Sequence, residues 1–316
     1  MIDILLATYN GEKYVAELID SLVAQKYQSW RLVVSDDGSR DGTVDIIQEY
    51  QRRFPERVVL RARTGGARGA RGNFAFLLGL AQGEYVMLCD QDDIWTPTKI
   101  EKTLSTMQAA ERRMTRETPL LVFSDLRVVD ANRRLIDGSF YHYQQVDPTD
   151  VSVGCLLTRN VIVGCAVMIN RPLLQLAVPM PREAIIHDWW LALLACLSGH
   201  IEHIPESLLE YRQHGHNDWG ARRISLWALL RRNPQRLLKR QLRLRNRTIL
   251  QARALLRRLG EPGSGFESGG GVDLEALAAV RDYAAAHPWL KRRWILWKHG
   301  MLTGNIYARA SRALLF

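Results

Sequence analysis

Residues 2–36 read IDILLATYNGEKYVAELIDSLVAQKYQSWRLVVSD, in which two short apolar runs flank a helical pattern. The runs at 2–7 and 30–35 are predicted to be strands, and the segment 11–25 is predicted to be a helix. The alternation continues, with helices predicted at 42–54 and 73–81 and strands at 58–61 and 85–89. Strands that alternate with helices at this spacing form βαβ units. The sequence therefore predicts an α/β fold with a mostly parallel, doubly wound sheet.

Polar residues follow three of these strands at the point where each strand ends. Thr8, Tyr9 and Asn10 follow the first strand, Asp36 and Asp37 follow the second, and an acidic run at 90–93 follows the strand at 85–89. Ligands of such sheets collect at the carboxyl ends of the strands, so we expect the functional site at this edge. Further along, strands are predicted at 120–125, 161–169 and 201–212, a loop at 140–146 and a helix at 182–198.

The composition indicates a folded, water-facing protein. Of the 316 residues, 47% are hydrophobic and 24% are charged, which is close to the average for globular proteins. This length fits one large α/β domain with an appendage, or two ordinary domains. The four cysteines form no CxxC pair and lie in apolar runs, which favours reduced thiols. Because no signal peptide or membrane-spanning segment is recognisable, we expect a cytoplasmic protein.

The net charge of +10 comes from one part of the chain. Thirteen Lys and Arg residues and no Asp or Glu lie between Trp219 and Gly260, so subtracting 13 from +10 leaves −3 for the remainder. The basic character therefore belongs to one segment and indicates a partner for that segment.

The strongest single motif is Cys89-Asp90-Gln91-Asp92-Asp93-Ile94-Trp95, which places three carboxylates within four residues after an apolar strand. Clustered carboxylates repel one another, and a bound divalent cation such as Mg²⁺ or Mn²⁺ makes the arrangement favourable. The alternative is a solvated acidic turn before a helix that begins near Pro97, with Asp93 or Thr96 as the N-cap.

A second acidic motif, Ser35-Asp36-Asp37-Gly38-Ser39, also follows a strand. A carboxylate at this edge can accept hydrogen bonds from a nucleobase N–H or a ribose hydroxyl. The alternative is a turn in which Asp and Gly serve only the local backbone.

Six motifs follow one another along the chain: Thr8-Tyr9-Asn10-Gly11, Ser35-Asp36-Asp37-Gly38-Ser39, Cys89-Asp90-Gln91-Asp92-Asp93-Ile94-Trp95, Gly164-Cys165-Ala166, His187-Asp188-Trp189-Trp190 and Tyr211-Arg212-Gln213-His214-Gly215. In this order they resemble the motifs of family 2 glycosyltransferases, and most of all those of the bacterial rhamnosyltransferase-like group. The resemblance covers residues 1–220. It implies a Rossmann-like GT-A fold and metal-dependent, inverting transfer of a sugar from a nucleotide diphosphate.

The resemblance also implies roles for individual residues. Asp188 would be the general base, and Asp92 and His214 would contact Mg²⁺ or Mn²⁺. Donor-binding residues would be Thr8, Tyr9, Asn10, Asp36, Asp37, Asn73, Asp90 and Gln91, with Asp90 directed towards the ribose. Acceptor-binding residues would be Gly164, Cys165, His187, Trp189 and Trp190.

Plainer explanations exist for several of these residues. A carboxylate at position 188 is also explained by a helix N-terminus, where the macrodipole favours a negative charge. The tryptophans at 189 and 190 are also explained by packing in the hydrophobic core. His214 is preferred over His216 only because of the family pattern. One segment departs from that pattern: residues 63–72 contain Arg and Gly without P-loop spacing, and they fit a phosphate cradle or a surface loop.

We predict a catalytic domain at 1–220 and a basic helical region at 221–316, with a Gly-rich linker at 260–271. Leu, Ile and Trp alternate with arginines in this region, as in helices that lie on anionic membranes. That pattern suits an enzyme on the inner face of the cell membrane whose acceptor is a glycan or a lipid-linked saccharide. The alternative is packing on the catalytic domain or on a second subunit, as in a homo-oligomer. A nucleic-acid partner is not favoured, because no binding motif accompanies the charge.

The best guess for the donor is dTDP-rhamnose, with a UDP-sugar as the alternative. A nucleotidyltransferase would show a Gly-rich basic loop after the first strand, where this chain has Thr8-Tyr9-Asn10-Gly11-Glu12. The remaining rival is a catalytically silent sugar- or membrane-binding module. The acidic residues at 37, 92 and 188 argue against such a decayed enzyme.

Overall fold

The computed structural model describes residues 1–63, 65, 67–214, 234–260 and 274–285. Within these residues, nine strands form one sheet in the order β3-β2-β1-β4-β8-β6-β9-β5, with β7 paired to β6. The strands are β1 (Ile2–Thr8), β2 (Trp30–Asp36), β3 (Val58–Leu60), β4 (Tyr85–Asp90), β5 (Ile94–Trp95), β6 (Leu120–Asp130), β7 (Leu135–Asp137), β8 (Val167–Asn170) and β9 (His200–Gln213).

The two halves of the sheet differ in strand direction. Strands β3, β2, β1 and β4 run parallel to one another. Strand β8 is antiparallel to both β4 and β6, whereas β9 is parallel to β6. The predicted parallel arrangement therefore holds for the first half, and the sheet as a whole is mixed.

Helices cover both faces of the sheet. Alternate side chains of β1 point to opposite layers, with Ile4 and Leu6 in one hydrophobic cluster and Leu5 in the other. The helices are α1 (Val15–Val23), α2 (Thr43–Arg53), α3 (Ala70–Leu80), α4 (Lys99–Arg113), α5 (Phe140–Gln144), α6 (Val153–Thr158), α7 (Arg171–Ala177), α8 (His187–Ser198), α9 (Pro234–Leu259) and α10 (Leu274–Ala285). Both layers are thus filled along the strands that end at the predicted site.

Three predicted elements differ from the structure. Residues 140–146 contain helix α5, because the Ser139 hydroxyl caps the helix by accepting a hydrogen bond from the His142 N–H. Of the predicted strand 161–169, only residues 167–169 belong to a strand, β8; the preceding residues are largely buried without pairing, and a buried apolar run does not distinguish these cases. Helix α8 begins at His187, five residues later than predicted.

The C-terminal helices share the core of the sheet. Leu255 of α9 and Val280 and Tyr283 of α10 belong to the same hydrophobic cluster as Leu5 of β1. The Thr248 hydroxyl lies 2.8 Å from the Tyr283 hydroxyl, which joins α9 to α10. The domain boundary at 220 and the linker at 260–271 stay predictions, because they fall on segments that are mostly outside the described residues.

Candidate active site

The loops after β1 and β2 are joined by hydrogen bonds at the carboxyl edge of the sheet. The Asn10 side-chain oxygen accepts from the Arg40 N–H at 2.9 Å, and the Asn10 N–H donates to the Ser39 hydroxyl at 2.8 Å. Asn10 adopts the left-handed backbone conformation, with φ of 47°. The polar groups of Asn10 therefore fix the two loops against each other.

Asp36 organises the turn at the end of β2. Its carboxylate accepts from the Thr8 hydroxyl at 2.8 Å and from the backbone N–H groups of Gly38 and Ser39. Thr8 is itself buried. Thr8 and Asp36, both predicted to bind the sugar donor, thus lie at the expected edge of the sheet, and their side chains hold the turn beside Asp37 in place.

Asp37 is held by the Arg- and Gly-containing segment. One carboxylate oxygen accepts from Arg63 Nη1 at 3.0 Å and the other accepts from the Gly69 N–H at 2.6 Å. Sequence reasoning did not single out Arg63, although it noted the run of arginines and glycines in which this residue lies. This segment is therefore next to the predicted nucleoside contact, and residues 64 and 66 within it lie outside the described residues.

Gln91 and Asn73 support the same loops. The Gln91 amide accepts from the Tyr9 N–H at 2.9 Å and donates to the Tyr9 carbonyl at 3.0 Å, whereas the Tyr9 side chain is 53% exposed. Asn73 Nδ2 donates to the Ser35 carbonyl at 2.8 Å. A Cβ on Gly11 would lie 2.3 Å from Gln91 Oε1, so glycine makes this close approach available.

The two predicted metal ligands lie together. Asp92 Oδ2 is 2.7 Å from His214 Nε2, and the His214 ring stacks on Tyr14 with 4.8 Å between centroids. Asp90 ends β4 two residues earlier. Carboxylate oxygens with one imidazole suit Mg²⁺ or Mn²⁺, so these residues fit the predicted cation. His216 lies outside the described residues.

A second group of potential ligand atoms lies close together in the same region as Asp92 and His214. Side-chain atoms of Asp90, Asp93 and Cys165 lie within 4.8 Å of one another. A buried thiol is a soft ligand and suits a hard oxygen-seeking cation poorly, so Asp92 and His214 remain the better metal ligands. Cys165, predicted to contact the acceptor, is thus placed beside residues 90–93, which we call the metal-binding loop after the predicted role of this loop.

The carboxylate of Asp93 and the ammonium of Lys99 are both buried, a feature that the sequence did not reveal. Burial lowers the pKa of Lys99 to about 8, and its Nζ lies 4.6 Å from the centre of the Trp95 ring. Burial, with repulsion from the neighbouring aspartates, raises the pKa of Asp93. Neither Asp93 nor Thr96 caps α4, which starts after Thr98 without a side-chain cap.

Asp188 lies on the first turn of α8 and is only 8% exposed. Burial raises its pKa to about 6, and hydrogen bonds from Trp189, the nearby Asn160 amide and Gly164 limit the rise. The Gly164 and Trp189 N–H groups lie 3.1 and 2.7 Å from its two oxygens. A carboxylate with a pKa near 6 is suited to accept a proton at neutral pH. No motif marked Asn160 in the sequence.

Gly164 and His187 flank Asp188. Burial lowers the pKa of His187 to about 3, so the imidazole is neutral, and its ring centre lies 3.9 Å from that of Phe74. A Cβ on Gly164 would lie 2.9 Å from His187 Nε2, so the packing requires glycine at this position. The 3-10 turn Gly164–Ala166 therefore contacts Asp188 through Gly164 and the metal-binding loop through Cys165.

Trp189 and Trp190 point into the core. The Trp189 indole donates to the Leu156 carbonyl at 2.5 Å, and the Trp190 indole donates to the Ala177 carbonyl at 3.1 Å. Both side chains are buried, which leaves no open ring face for stacking on a sugar. We assign both residues to core packing, the plainer of the two explanations given by the sequence.

Comparison with known proteins identifies related sequences. The family model for glycosyl transferase family 2 matches residues 3–154. A Mycobacterium tuberculosis protein is 30% identical over 67% of this chain and 58% of its own length. The putative teichuronic acid biosynthesis glycosyltransferase TuaG of Bacillus subtilis is 30% identical over 67% of this chain and 79% of its own. The dTDP-rhamnosyl transferase RfbG of Shigella flexneri is 27% identical over 68% and 74%, respectively.

Solved structures share the fold at low sequence identity. The mannosyltransferase PcManGT from Pyrobaculum calidifontis, in complex with GDP-Man and Mn²⁺, has a TM-score of 0.54 and 17% identity; the match covers 99% of this chain and 78% of that one. The TarS fragment 1–349 from S. aureus, in complex with UDP, has a TM-score of 0.52 and 14% identity, with 99% and 91% covered. These matches are to glycosyltransferases with the GT-A fold.

Proposed function

The chain belongs to glycosyl transferase family 2, and from this premise we propose that it transfers a sugar from a nucleotide diphosphate to an acceptor hydroxyl, with inversion. The observation that carries the proposal is the 3-10 turn Gly164–Ala166. Through Gly164, this turn contacts the buried carboxylate of Asp188; through Cys165, it contacts the metal-binding loop. A proton acceptor and a diphosphate site are thereby held on either side of one short turn.

Each group has a role in a single displacement. The loops containing Thr8, Asp36 and Asp37 orient the nucleoside, with Asp90 directed towards the ribose, and Asp92 and His214 would hold the cation. Mg²⁺ or Mn²⁺, when bound, supplies positive charge that neutralises the departing diphosphate. Asp188 takes the proton from the acceptor hydroxyl while the oxygen attacks the anomeric carbon.

The environment of Asp188 supports its role as the base. Because burial raises its pKa to about 6, the carboxylate is a stronger base than an exposed aspartate and is still ionised at neutral pH. Hydrogen bonds from Gly164 and Trp189 direct its oxygens and keep the anion stable. Proton transfer to a positioned base contributes about 10²- to 10⁴-fold to such reactions.

For the donor, we favour dTDP-rhamnose, and for the acceptor a glycan or lipid-linked saccharide of the cell surface. Resemblance to rhamnosyltransferases supports this donor, and the names of RfbG and TuaG agree with the proposed sugar and with surface polysaccharide synthesis. A UDP-sugar is the alternative, which the fold match to TarS with bound UDP favours.

Calorimetric titration with UDP, dTDP and GDP, each with Mn²⁺ and with EDTA, tests the proposal. We expect one nucleotide to bind at least tenfold more tightly with Mn²⁺ than with EDTA. Preference for dTDP would support the rhamnose donor, and preference for UDP would support the alternative. If no nucleotide binds under either condition, the transferase proposal is wrong and a binding module takes its place.

We also propose that the basic C-terminal region attaches the enzyme to an anionic membrane surface. The outward face of α9 exposes Leu242 and Leu250 beside Arg243, a pattern of apolar and cationic side chains that suits such a surface. Among the described residues, no helix is both long and apolar enough to cross a bilayer. The tryptophans at 289, 294 and 297, which belong to the same predicted membrane-binding pattern, lie outside the described residues.

Sedimentation with vesicles tests this attachment. We expect binding to vesicles that contain phosphatidylglycerol, little binding to pure phosphatidylcholine, and a loss of at least threefold for Leu250→Ser. Leu135→Ser is the matched control, because Leu135 is an exposed leucine on β7. Equal loss in both variants, or binding to neither vesicle, contradicts membrane attachment and favours contact with a second subunit, which size-exclusion chromatography would detect.

A further inference from the structure

Helix α9 holds the segment that leads into the catalytic turn of α8. The Gln251 side-chain oxygen accepts from the Ile185 N–H at 2.7 Å, and Arg247 Nη2 donates to the Ile185 carbonyl at 3.0 Å. Gln251 is 1% exposed. Both backbone polar groups of Ile185, three residues before Asp188, are thus satisfied by side chains from a helix more than sixty residues later in the sequence.

The same helix supports the beginning of this segment. Residues 178–186 connect α7 to α8 without regular secondary structure. Arg258 donates to the carbonyls of Val178 and Pro179, and Arg257 forms an ion pair with Glu183. Within this segment, one backbone hydrogen bond joins the Ala184 N–H to the Pro181 carbonyl, and the side chains of α9 supply partners for Val178, Pro179 and the buried Ile185.

The shape of this segment fixes where α8 begins. The N-cap residue of α8, Ile186, provides no side-chain cap, so the first turn of α8 lacks the hydrogen bond that a polar N-cap residue would add. Asp188 lies on that turn, and its carboxylate is held by the N–H of Gly164, which belongs to a different segment. A shift of the first turn would therefore move the carboxylate relative to Gly164.

We propose that Arg247 and Gln251 are positioning residues that fix the catalytic carboxylate through Ile185. This inference rests on the proposed function, in which Asp188 is the base. It gives the C-terminal basic region a part in catalysis that is separate from membrane attachment. Arginines of this region that look solvated in the sequence act as hydrogen-bond donors to the catalytic half.

The experiment uses the full chain with Arg247→Met and Gln251→Met. Arg253→Met is the matched control, because Arg253 lies on the same helix but donates to the Ala284 carbonyl of α10. The substrate is dTDP-rhamnose, or the UDP-sugar if the titration selects UDP, and release of the nucleotide is followed with Mn²⁺ as a function of pH.

We expect kcat to fall about tenfold or more in Arg247→Met and Gln251→Met, because small displacements of a reacting group are costly. The nucleotide Kd should stay within about twofold of the wild-type value. The acidic limb of the pH–rate profile should shift, because the Asp188 carboxylate is no longer held at a fixed distance from the Gly164 N–H. Arg247→Lys, which keeps a donor, should retain at least about half of the wild-type kcat. Equal kcat and pH profiles in Arg247→Met, Gln251→Met and Arg253→Met would overturn the inference.

Amide hydrogen exchange provides a measurement that needs no substrate. The Ile185 N–H should exchange at least about tenfold faster in Gln251→Met than in Arg253→Met, since its acceptor is lost. Unchanged exchange would contradict the inference. The proposed function fails separately from this inference. If the Asp188→Asn variant is active, Asp188 is not the base and the proposed function is wrong. If Asp188→Asn is inactive but Arg247→Met and Gln251→Met are fully active, only this inference is wrong.

Discussion

The proposed donor side and the proposed acceptor side of the site place their carboxylates in different environments. On the donor side, Asp36 and Asp37 accept hydrogen bonds from turn N–H groups, a hydroxyl and Arg63. On the proposed acceptor side, Asp188 also accepts hydrogen bonds, from the Gly164 and Trp189 N–H groups, but it is almost fully buried, and burial raises its pKa to about 6. Hydrogen-bond networks orient groups that bind a ligand, whereas burial changes the proton affinity of a group that must accept a proton.

The largest expected effect is on the acceptor side. Asp188→Asn should lower kcat by about 10²- to 10⁴-fold, because the amide cannot accept the proton. Nucleotide affinity should stay within about twofold of the wild type, since the donor loops do not depend on this carboxylate. Steady-state kinetics with calorimetry measures both, and Asp45→Asn, at an exposed position of α2, is the control. Loss of nucleotide binding in Asp188→Asn would contradict the proposal that Asp188 serves proton transfer and not nucleotide binding.

The next largest effect should come from the donor side. Asp92→Asn should reduce the Mn²⁺-dependent part of nucleotide affinity by at least about tenfold, since even the loss of a residue that hydrogen-bonds to a metal ligand costs about 10- to 100-fold in metal affinity. Affinity in EDTA should not change. His214→Gln should also reduce the Mn²⁺-dependent part of nucleotide affinity, but by less, because the carboxylate ligand Asp92 remains. Titration with and without Mn²⁺ measures both variants, and an unchanged Mn²⁺ dependence in Asp92→Asn would rule out the predicted ligand set.

The pH dependence should move when one hydrogen bond to Asp188 is removed. The wild-type kcat/KM should fall as pH drops through about 6, because protonation removes the base. The Asn160 amide lowers the pKa of Asp188, so Asn160→Ala should raise it and shift this acidic limb upward by about half a unit to one unit. Rate profiles between pH 5 and 9 test the shift; a downward shift, or none, would show that Asn160 does not stabilise the anion.

The smallest expected effect on catalysis is that of Trp189→Phe. This change leaves the buried Leu156 carbonyl without its donor and should lower the free energy of unfolding by about 1–3 kcal/mol. The KM for the acceptor should stay within about twofold, because the indole has no exposed face. Thermal unfolding and acceptor kinetics test the two parts, and a large rise in acceptor KM at unchanged stability would restore the stacking role.

The sequence predicted where the acidic residues of the proposed donor side lie, because each of them directly follows a strand. Asp36, Asp37 and Asp90 each follow a strand, and parallel strands bring such positions to one edge. The pairing of Asp92 with His214 needed the family pattern as well, since 122 residues separate them. The fold class followed from the strand and helix alternation in the first half.

Other parts of the site depend on contacts that no local pattern marks. Asn160 and Gln251 are polar residues in unremarkable contexts, and Lys99 occupies a helix start where lysine usually faces water. Their roles arise only when distant segments pack together. The strand predicted at 161–169 failed for a related reason: burial without pairing gives the same apolar pattern as a strand.

The attachment of α9 to residues 178–186 has a practical consequence for anyone who shortens the gene. A chain cut at 220 would leave the Ile185 N–H and the Val178 carbonyl without the partners that α9 provides. It would also uncover the apolar surface now covered by Leu255 and Leu259. Such a truncated protein should aggregate during purification, so the shortest preparation worth crystallising runs at least through α10.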